Sequence, residues 1–251
     1  MDKLIYTAFN TLNNIYDNRS VRAQNMSNIS VPGYRRDIGT KASGTAFVIG
    51  ENTLNTRALA IRDDKNYFEA APGTLSQTDT PTDIAIRGDG YLIVQGLGEP
   101  SLSRRGDLKV DENGVLLNGA SAKVLNTALQ PFNVPPHRAI KINETGDVLI
   151  EPLGSEPGTE QNIGRIAMTF ANGAELKKFP DGEIRDADGT IPPPEEGIRV
   201  IPKFIELSNV NITEELVNTI EDQRQYEINV KLISSTSELD QAGASLLRMP
   251  N

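Results

Sequence analysis

The sequence has no cysteine, no tryptophan and one histidine, and aromatic residues make up only 5% of its 251 residues. Without cysteine there is no disulfide framework, no thiolate nucleophile and no cysteine-based zinc site. A single histidine likewise excludes a two-histidine metal site within one chain. Apolar residues amount to 37% of the chain, so the hydrophobic core is expected to be thin or divided. These absences remove several large classes of enzyme and metalloprotein.

Basic residues are also few, with 25 Lys and Arg against 34 Asp and Glu and a net charge of -9. An acidic surface repels the phosphate backbone and anionic lipid, so nucleic acid is not an expected partner. No stretch approaches the roughly 18 uninterrupted apolar residues of a membrane-spanning helix, so no membrane span is expected. The first twenty residues lack the continuous apolar region of a cleaved secretory signal, so we expect no signal cleavage.

Motifs that carry catalysis are scarce. His137 follows two prolines in a loop and is interpreted as a surface residue rather than a catalytic base. Neither a nucleophile elbow nor a phosphate-binding loop is present. The acidic segments at residues 111–114, 181–183 and 186–189 are interpreted as turns, because no complete calcium-binding loop is present. We therefore predict that the chain is not an enzyme and has no catalytic residues, no cofactor and no metal ion. A hydrolase built from two distant carboxylates is the alternative.

Helix-breaking residues are concentrated in the middle of the chain. Twenty of the 21 glycines lie between residues 33 and 197, and fourteen of the 15 prolines lie between residues 32 and 202. The two ends are therefore predicted to be helices of about 30 and about 35 residues. The sequence Val31-Pro32-Gly33 ends the first helix. Asn211, with Glu214 three residues later, is typical of the N-terminal cap of the second.

The middle of the chain is predicted to be β structure. Short apolar or alternating runs flank turn residues at 83–95, 108–117 and 140–150, each the pattern of a hairpin, and further strands are expected at 163–170 and 198–207. The predicted fold class is α+β, with long terminal helices and an inserted, mainly antiparallel β domain. The predicted divisions are residues 1–35 for the N-terminal helix, 36–80 for an extended linker or hairpin segment, 81–207 for the β domain and 208–251 for the C-terminal helix.

Both predicted helices carry an apolar stripe at helical spacing. The residues expected to form an assembly interface are Ile5, Ala8, Leu12, Ile15 and Met26 in the N-terminal helix and Val217, Ile220, Ile228, Leu232, Leu239, Ala242 and Leu246 in the C-terminal helix. Core packing within a monomer is the alternative for any amphipathic helix. Helices of about 40 and 50 Å would extend beyond a small β domain, which favours pairing with each other or with neighbouring copies. Both helices contain poor helix formers, which indicates that they become ordered on assembly.

Five segments, in the same order along the chain, resemble motifs of the flagellar rod and hook axial proteins. They are residues 24–36, 80–91, 103–114, 206–211 and 223–227, with Gln24-Asn25 in place of the usual Asn pair, Ser30 in place of Thr, and Leu102-Ser103 in place of Tyr-Thr. The residues that carry the resemblance are Asn25, Asn28, Pro32, Gly33, Tyr34, Asp83, Gly88, Gly90, Arg104, Gly106, Ser208, Asn209, Val210, Arg224 and Glu227.

What the resemblance implies is a structural subunit of the flagellar basal-body rod, located in the periplasm. It would leave the cell without a cleaved signal peptide through the flagellar type III export apparatus. Its terminal helices would pair as an inner coiled-coil layer that lines the export channel and transmits torque. Its partners would be copies of itself and other proximal and distal rod proteins. The length and the opening residues favour a proximal rod subunit. A distal rod or hook subunit, a cell-wall glycan hydrolase and a monomeric, adhesin-like binding module are the alternatives.

Overall fold

The computed structural model describes residues 2–39, 42–49, 56–62, 67–179 and 181–247. The predicted α+β class is confirmed, since two long helices flank a set of antiparallel strands. The helices are α1 Asp2–Ser27 and α2 Ile212–Leu247. The strands are β1 Ala42–Ile49, β2 Thr56–Arg62, β3 Leu75–Gln77, β4 Ile84–Ile86, β5 Tyr91–Gln95, β6 Pro100–Ser103, β7 Leu108–Val110, β8 Leu116–Asn118, β9 Lys123–Val124, β10 His137–Ile142, β11 Asp147–Pro152, β12 Gln161–Arg165, β13 Met168–Thr169, β14 Leu176–Lys178, β15 Ile184–Asp186, β16 Val200–Pro202 and β17 Phe204–Glu206.

Both helices begin or end at the signals found in the sequence. Helix α1 ends at Ser27, before the turn that contains Pro32. At the start of α2, the side-chain Oδ1 of Asn211 accepts hydrogen bonds from the amides of Thr213 at 3.0 Å and Glu214 at 3.3 Å. Asn211 therefore satisfies two of the amides that a helix leaves without an internal partner. Within the described residues, neither helix combines the length and hydropathy needed to cross a lipid bilayer.

The chain divides into two compact units, which we name the helical unit and the β unit. In the described chain, the helical unit contains α1, residues 37–39, the antiparallel β1–β2 hairpin and α2. The β unit contains residues 28–36, 67–179 and 181–210, and therefore strands β3 to β17. Residues 28–36 and 207–210, which connect to the two helices, thus belong to the β unit.

The β unit is built from antiparallel sheets. The largest has the strand order β14-β15-β6-β5-β9-β8-β7, and β13 also pairs with β5. A three-stranded sheet β10-β11-β12 and the pairs β16-β4 and β17-β3 accompany it. The predicted hairpins at residues 108–117 and 140–150 are confirmed as β7-β8 and β10-β11. Both have a short turn rich in Asp, Asn and Gly, residue types that favour tight chain reversals.

The hairpin predicted at residues 83–95 is wrong. Strand β4 pairs with β16, whereas β5 pairs with β6, β9 and β13. The carbonyl oxygens of Ile86, Gly88 and Gly90 all accept hydrogen bonds from the guanidinium group of Arg104. The turn between β4 and β5 therefore surrounds a side chain from another part of the sequence, and the two strands diverge to different partners.

The single strand predicted at residues 198–207 is divided in two. Lys203 has a φ of 61°, in the left-handed region, and separates β16 from β17. Its amide donates a hydrogen bond of 2.7 Å to the carbonyl of Asp83. The two halves then follow different neighbours, because β16 pairs with β4 and β17 pairs with β3. The strand predicted at residues 163–170 is similarly divided into β12 and β13.

The core of the β unit consists of two hydrophobic clusters that share strand β5. Leu92 and Val94 lie in the larger cluster, whereas Tyr91 and Ile93 lie in the smaller. Because alternate side chains of a strand point to opposite faces, β5 is buried on both faces. This explains its continuous apolar run, and burial of each such side chain contributes about 1.5–3 kcal/mol.

Asp147, at the start of β11, is held in its ionised form by its neighbours. Arg165 Nε donates to its Oδ1 at 2.7 Å, and Thr145 Oγ1 and Asn143 Nδ2 donate to its Oδ2 at 2.5 and 3.2 Å. The hydrogen bond from Arg165 is the largest of the effects that lower the pKa of Asp147 from 3.8 to about 2. Burial of the carboxyl group acts in the opposite direction.

We expect the stability of the β unit to fall as the pH is lowered from about 4 to about 2. A carboxyl group whose pKa is lower in the folded state stabilises that state above its unfolded pKa, and the contribution disappears on protonation. The loss should be about 1–2 kcal/mol, reduced because Arg165 is partly exposed. Urea unfolding at pH 6 and pH 2.5 should show a smaller difference for Asp147→Asn than for the unchanged chain or for Glu151→Gln on the same strand. If Asp147→Asn lost as much stability between pH 6 and pH 2.5 as the unchanged chain, the contribution assigned to Asp147 would be contradicted.

Candidate functional site

Three segments that are distant in sequence meet inside the β unit through charged side chains. Arg35 Nη1 donates to Glu206 Oε1 at 2.5 Å. Arg104 donates from Nε to Glu206 Oε2 at 2.9 Å, and its Nη2 lies 2.6 Å from the same oxygen. The side chains of all three residues are 2% exposed or less. We name this group, Arg35, Arg104 and Glu206, the Arg–Glu–Arg junction.

Further hydrogen bonds fix the junction in one geometry. Arg35 Nη1 also donates to the carbonyl of Ala71 at 2.8 Å, and the amide of Gly73 donates to Glu206 Oε1 at 2.8 Å. Arg104 bonds to the carbonyls of the β4–β5 turn described above. Charged groups can be buried at acceptable cost only when they are paired and hydrogen-bonded in this way. Removing Glu206 alone would therefore leave buried charges without a partner.

The junction contains two cations and one carboxylate. Burial lowers the pKa of Arg104 below its ordinary value, Glu206 counteracts this, and Arg35 adds to it. Burial also raises the pKa of Tyr91, whose ring centre lies 5.9 Å from the Arg104 guanidinium carbon. Electrostatic interactions are strong where water is excluded, so Glu206 is the group on which both arginines depend.

The chain segment after α1 is also bonded directly to the segment before α2. The amide of Gly33 donates to the carbonyl of Glu206 at 2.7 Å, and the amide of Asn209 donates to the carbonyl of Tyr34 at 3.3 Å. The amide of Arg36 donates to Asn209 Oδ1 at 2.7 Å. Both segments belong to the β unit. The stretches that connect to the two helices are thus held side by side by main-chain and side-chain bonds.

Glycine is required at two motif positions near the junction. Gly33 has a φ of +68°, and a Cβ atom there would overlap the main chain of Arg104. A Cβ atom on Gly106 would overlap the carbonyl oxygen of Ile84. Only glycine permits so close an approach of two main chains. These two motif glycines therefore have a packing role beside the junction.

Lys178 connects the junction to the largest sheet. It lies on β14 and is 9% exposed. Its Nζ lies 4.0 Å from the ring centre of Tyr34 and donates to the carbonyl of Arg35 at 3.3 Å. A cation over an aromatic face is a favourable contact, particularly where both groups are shielded from water. Lys178 thereby binds the segment that follows α1.

Sequence reasoning included Arg35 and Glu206 in the motif segments 24–36 and 206–211 without giving them a role, and it did not single out Lys178. One signal was present for Glu206, because it is a lone carboxylate within the apolar run from Phe204 to Leu207. A charge at a buried strand position requires a partner of opposite charge. The identity of that partner could not be read from the sequence, because Arg35 and Arg104 are 171 and 102 residues away.

In the helical unit, α1 contacts α2 through polar side chains. Arg22 Nε donates to Asp222 Oδ2 at 2.6 Å, and Arg22 Nη1 lies 3.6 Å from Glu215 Oε2. Asn25 Nδ2 donates to Glu215 Oε1 at 3.2 Å, and the Asn25 amide group also exchanges two 2.9 Å hydrogen bonds with the main chain of Asp37. Asn25 contacts Glu215, whereas Arg22, which precedes Asn25 on α1, contacts Asp222, which follows Glu215 on α2. The two helices are therefore antiparallel.

The residues predicted to form the assembly interface differ in exposure between the two helices. In α1, Ala8 and Ile15 are buried, and Ile5, Leu12 and Met26 are half-buried. In α2, Ala242 is exposed, and the larger residues Val217, Ile220, Ile228, Leu232, Leu239 and Leu246 are 42–70% exposed. We name these six large residues the α2 outer stripe. The buried α2 residues Glu215 and Asp222 lie on another side of the helix.

The motif residues lie in several places. Those at or beside the junction are Gly33, Tyr34, Gly88, Gly90, Arg104 and Asn209. Gly106 lies between the junction and β4, Asn28 and Pro32 lie in the turn after α1, Asp83 precedes β4, and Ser208 and Val210 precede α2. Asn25 lies between the helices, whereas Arg224 and Glu227 are exposed on α2. Among the described residues, no three His, Asp or Glu side chains are grouped as metal ligands.

Comparison with known proteins finds similarity to flagellar rod proteins along the whole chain. Residues 201–246 match the family described as Flagellar basal body rod FlgEFG protein C-terminal. The flagellar basal-body rod proteins FlgF of Salmonella typhimurium and of Escherichia coli K12 are each 28% identical over 256 residues, covering 99% of this chain and 100% of the relative. The chain is similar over its whole length to flagellar basal-body rod proteins. The rod protein FlgG of Borreliella burgdorferi is 29% identical over 260 residues, covering 95% of this chain and 96% of the relative.

The resemblance to rod proteins found in the sequence motifs is therefore confirmed. The homologues are structural rod proteins, which agrees with the prediction that the chain is not an enzyme. The matched segment 201–246 includes Glu206 of the junction, Asn209, and all six residues of the α2 outer stripe. The similarity thus covers both the junction and the helix that carries exposed apolar residues.

Proposed function

We propose that the chain is a structural subunit of the flagellar basal-body rod, which binds copies of itself and other rod proteins through its helical unit. The similarity to FlgF proteins over 99% of this chain and 100% of theirs is the observation that carries the proposal. The architecture is consistent with a structural role. The first and last elements of the chain are helices, and both have exposed apolar side chains.

The α2 outer stripe is the surface on which assembly depends in this proposal. Six large aliphatic side chains are exposed along one side of α2, and burying each would contribute about 1.5–3 kcal/mol before the cost of ordering is subtracted. Exposed apolar surface of this extent is typical of an interaction site. The antiparallel contact between α1 and α2 supports the further proposal that the helices form an inner coiled-coil layer lining the export channel.

The Arg–Glu–Arg junction gives the subunit mechanical continuity in this proposal. The segments that connect to α1 and α2 are bonded to each other and to the β unit at Gly33, Arg35, Glu206 and Asn209. A subunit that transmits torque benefits from connections that cannot extend under load. Buried, charge-assisted hydrogen bonds are well suited to this task because they have fixed geometry and are screened by salt much less than exposed pairs.

The finer assignment is a proximal rod subunit that is exported through the flagellar type III apparatus without signal cleavage and is placed in the periplasmic part of the rod. The full-length match to FlgF proteins supports the proximal position. A distal rod or hook subunit is the alternative, because FlgG proteins match over 88–99% of the chain.

Complementation of a strain that lacks the gene tests the proposed function. The full chain should restore motility, and a chain without residues 1–30 should not, because the helical unit loses α1 while the β unit keeps residues 31–36. The double variant Ile220→Asp/Ile228→Asp in the α2 outer stripe should also fail. The matched control Ser234→Asp/Gln241→Asp alters exposed α2 positions away from the stripe and should restore motility. Electron microscopy of isolated basal bodies should show rods in the strains that carry the full chain or the Ser234→Asp/Gln241→Asp control. It should show none in the other two strains. Motility with the chain that lacks residues 1–30 would contradict the proposal.

A further inference from the structure

Three asparagines of the chain, Asn113, Asn118 and Asn172, are each followed directly by glycine. Asparagine is chemically labile in this setting, because the amide nitrogen of the next residue can attack the carbonyl carbon of its side chain. Glycine favours the attack, since it has no side chain in the way and a wide range of main-chain angles. The reacting pair is the same at all three positions, so the fold decides which of them reacts.

Asn172 and Gly173 are the two central residues of an exposed turn between β13 and β14. The amide of Ala174 donates to the carbonyl of Ala171 at 3.2 Å and closes the turn, which leaves the central amides without a partner inside it. In the part of the chain that the structure describes, neither the Asn172 side chain nor the Gly173 amide makes a hydrogen bond. Gly173 has a φ of +80°, and a Cβ atom added there would meet nothing within 4 Å. The attacking nitrogen and the carbon that it attacks are therefore both free to move.

The pair at Asn113 is held by hydrogen bonds. It occupies the last two positions of a turn that begins at Asp111, so the amide of Gly114 donates to the carbonyl of Asp111 at 3.1 Å. The Asn113 side chain donates from Nδ2 to Asp111 Oδ2 at 3.2 Å. The nitrogen that would attack and the side chain that it would attack are thus both bonded to Asp111.

Asn118 is protected by burial and by its own role in a turn. The residue is 2% exposed, and its Oδ1 accepts hydrogen bonds from the amides of Ala120 at 3.0 Å and Ala122 at 2.9 Å. Attack by the next nitrogen requires the Asn118 side chain to rotate, which would break both bonds inside the β unit. The main chain at Gly119 also has little room, since a Cβ atom there would overlap the Asp107 carboxylate.

We propose that Asn172 is a site of spontaneous deamidation and that it reacts well before Asn113 and Asn118. The Gly173 nitrogen loses its proton and bonds to Cγ of Asn172. The bond between Cγ and Nδ2 breaks, and Nδ2 leaves with a proton as ammonia. Water then opens the cyclic imide. Cleavage at Cγ gives aspartate, whereas cleavage at the main-chain carbonyl gives isoaspartate, in which the chain continues through the former side chain.

Either product places a new carboxylate on the turn before β14. Isoaspartate also adds one carbon to the main chain between β13 and β14. Strand β14 lies at the end of the largest sheet, where its one partner in that sheet is β15, so the turn can lengthen without displacing a central strand. We therefore expect the product to stay folded and to accumulate with time, because the loss of ammonia is not reversed. The reaction needs only the folded chain and water, and it is independent of the proposed function.

Peptide mass spectrometry of the full-length chain, incubated in mildly alkaline buffer, measures the conversion. Fragmentation of the peptides assigns it to each asparagine, and methylation by an isoaspartate methyltransferase identifies the isoaspartate product. We expect Asn172 to convert at least about tenfold faster than Asn113 or Asn118, since two hydrogen bonds must break before either of those can react. Equal conversion of the three sites in the folded chain would overturn the inference.

Unfolding provides a control within the same molecule. In guanidinium chloride all three sites should convert at similar rates, because the bonds that protect Asn113 and Asn118 are gone. A preference for Asn172 that stays the same in guanidinium chloride would show that the fold does not select the site, and would overturn the inference.

Two variants complete the test. Asp111→Ala removes the side-chain acceptor of Asn113 and should raise conversion at Asn113 while leaving Asn172 unchanged. Asn172→Gln should remove the fastest conversion, because attack on the longer side chain forms a larger ring more slowly. Circular dichroism should show the same fold in both variants. A chain with Asn172→Gln that still releases ammonia as fast as the unchanged chain would contradict the assignment to Asn172.

Discussion

Replacing Glu206 with alanine is expected to lower the free energy of unfolding of the β unit by about 3–5 kcal/mol. The Glu206 side chain is 1% exposed and is the carboxylate that both Arg35 and Arg104 contact. Its removal leaves two buried guanidinium groups without a counter-ion, and the amide of Gly73 without its side-chain acceptor. Urea unfolding followed by circular dichroism and tyrosine fluorescence measures the change, since the chain has no tryptophan.

A surface ion pair provides the matched control for this substitution. Glu160 pairs with Lys141, and both side chains are 45–51% exposed. Glu160→Ala should therefore change the free energy of unfolding by about 0–1 kcal/mol. Equal losses for Glu206→Ala and Glu160→Ala would contradict the role assigned to the junction.

Replacing all three junction residues by apolar ones is not expected to restore stability. Buried ion pairs can often be exchanged for apolar side chains at little cost. Here Arg104 also donates to the carbonyls of Ile86, Gly88 and Gly90, which an apolar side chain would leave without that donor. Each unsatisfied buried carbonyl costs about 1–3 kcal/mol. The triple variant Arg35→Met/Arg104→Met/Glu206→Leu should thus stay less stable than the unchanged chain.

The helices and the simple hairpins could be predicted from the sequence because their signals are local. The concentration of glycine and proline between residues 32 and 202 marked both helices, and Asn211 marked the start of α2. Hairpins β7-β8 and β10-β11 follow from short apolar runs around a turn. In each case the residues that decide the structure lie within a few positions of each other.

The pairing of β4 and the junction could not be predicted because their causes are distant in sequence. The segment at residues 83–95 has the local pattern of a hairpin, but the turn holds Arg104, and Arg104 is fixed by Glu206. No spacing rule connects residues that are about one hundred positions apart. The motif resemblance included these residues without indicating that they touch.

The exposure of the α2 outer stripe illustrates a different limit. Periodicity predicted an apolar stripe on α2, and the structure leaves apolar side chains outside that stripe, Ile212 and Val230, exposed as well. It did not indicate that α1 contacts another side, through Glu215 and Asp222. An apolar stripe has the same sequence pattern whether it packs inside one chain or against another molecule. The assembly role of these residues, and the four predicted divisions of the chain, accordingly stay predictions.

Two chains that differ by only six residues at their start are expected to differ greatly in stability. The chain that begins at Val31 keeps Gly33, Tyr34 and Arg35, and its β unit should melt as in the full-length protein. The chain that begins at Asp37 lacks all three. It should lose about 3 kcal/mol or more, because one partner of Glu206 is removed. For a domain of this size that corresponds to a fall in melting temperature of roughly 6–12 °C.

Differential scanning calorimetry of both chains measures this difference, and Arg35→Met in the chain that begins at Val31 should reproduce most of it. Equal melting of the two chains would show that residues 31–36 are not part of the folding unit. The reason to expect otherwise is that these residues supply both main-chain bonds to the segment before α2 and one arginine of the junction. The β unit can therefore bury Glu206 fully only when the segment that follows α1 is in place, so the connections to both helices form in the same step as the fold that anchors them.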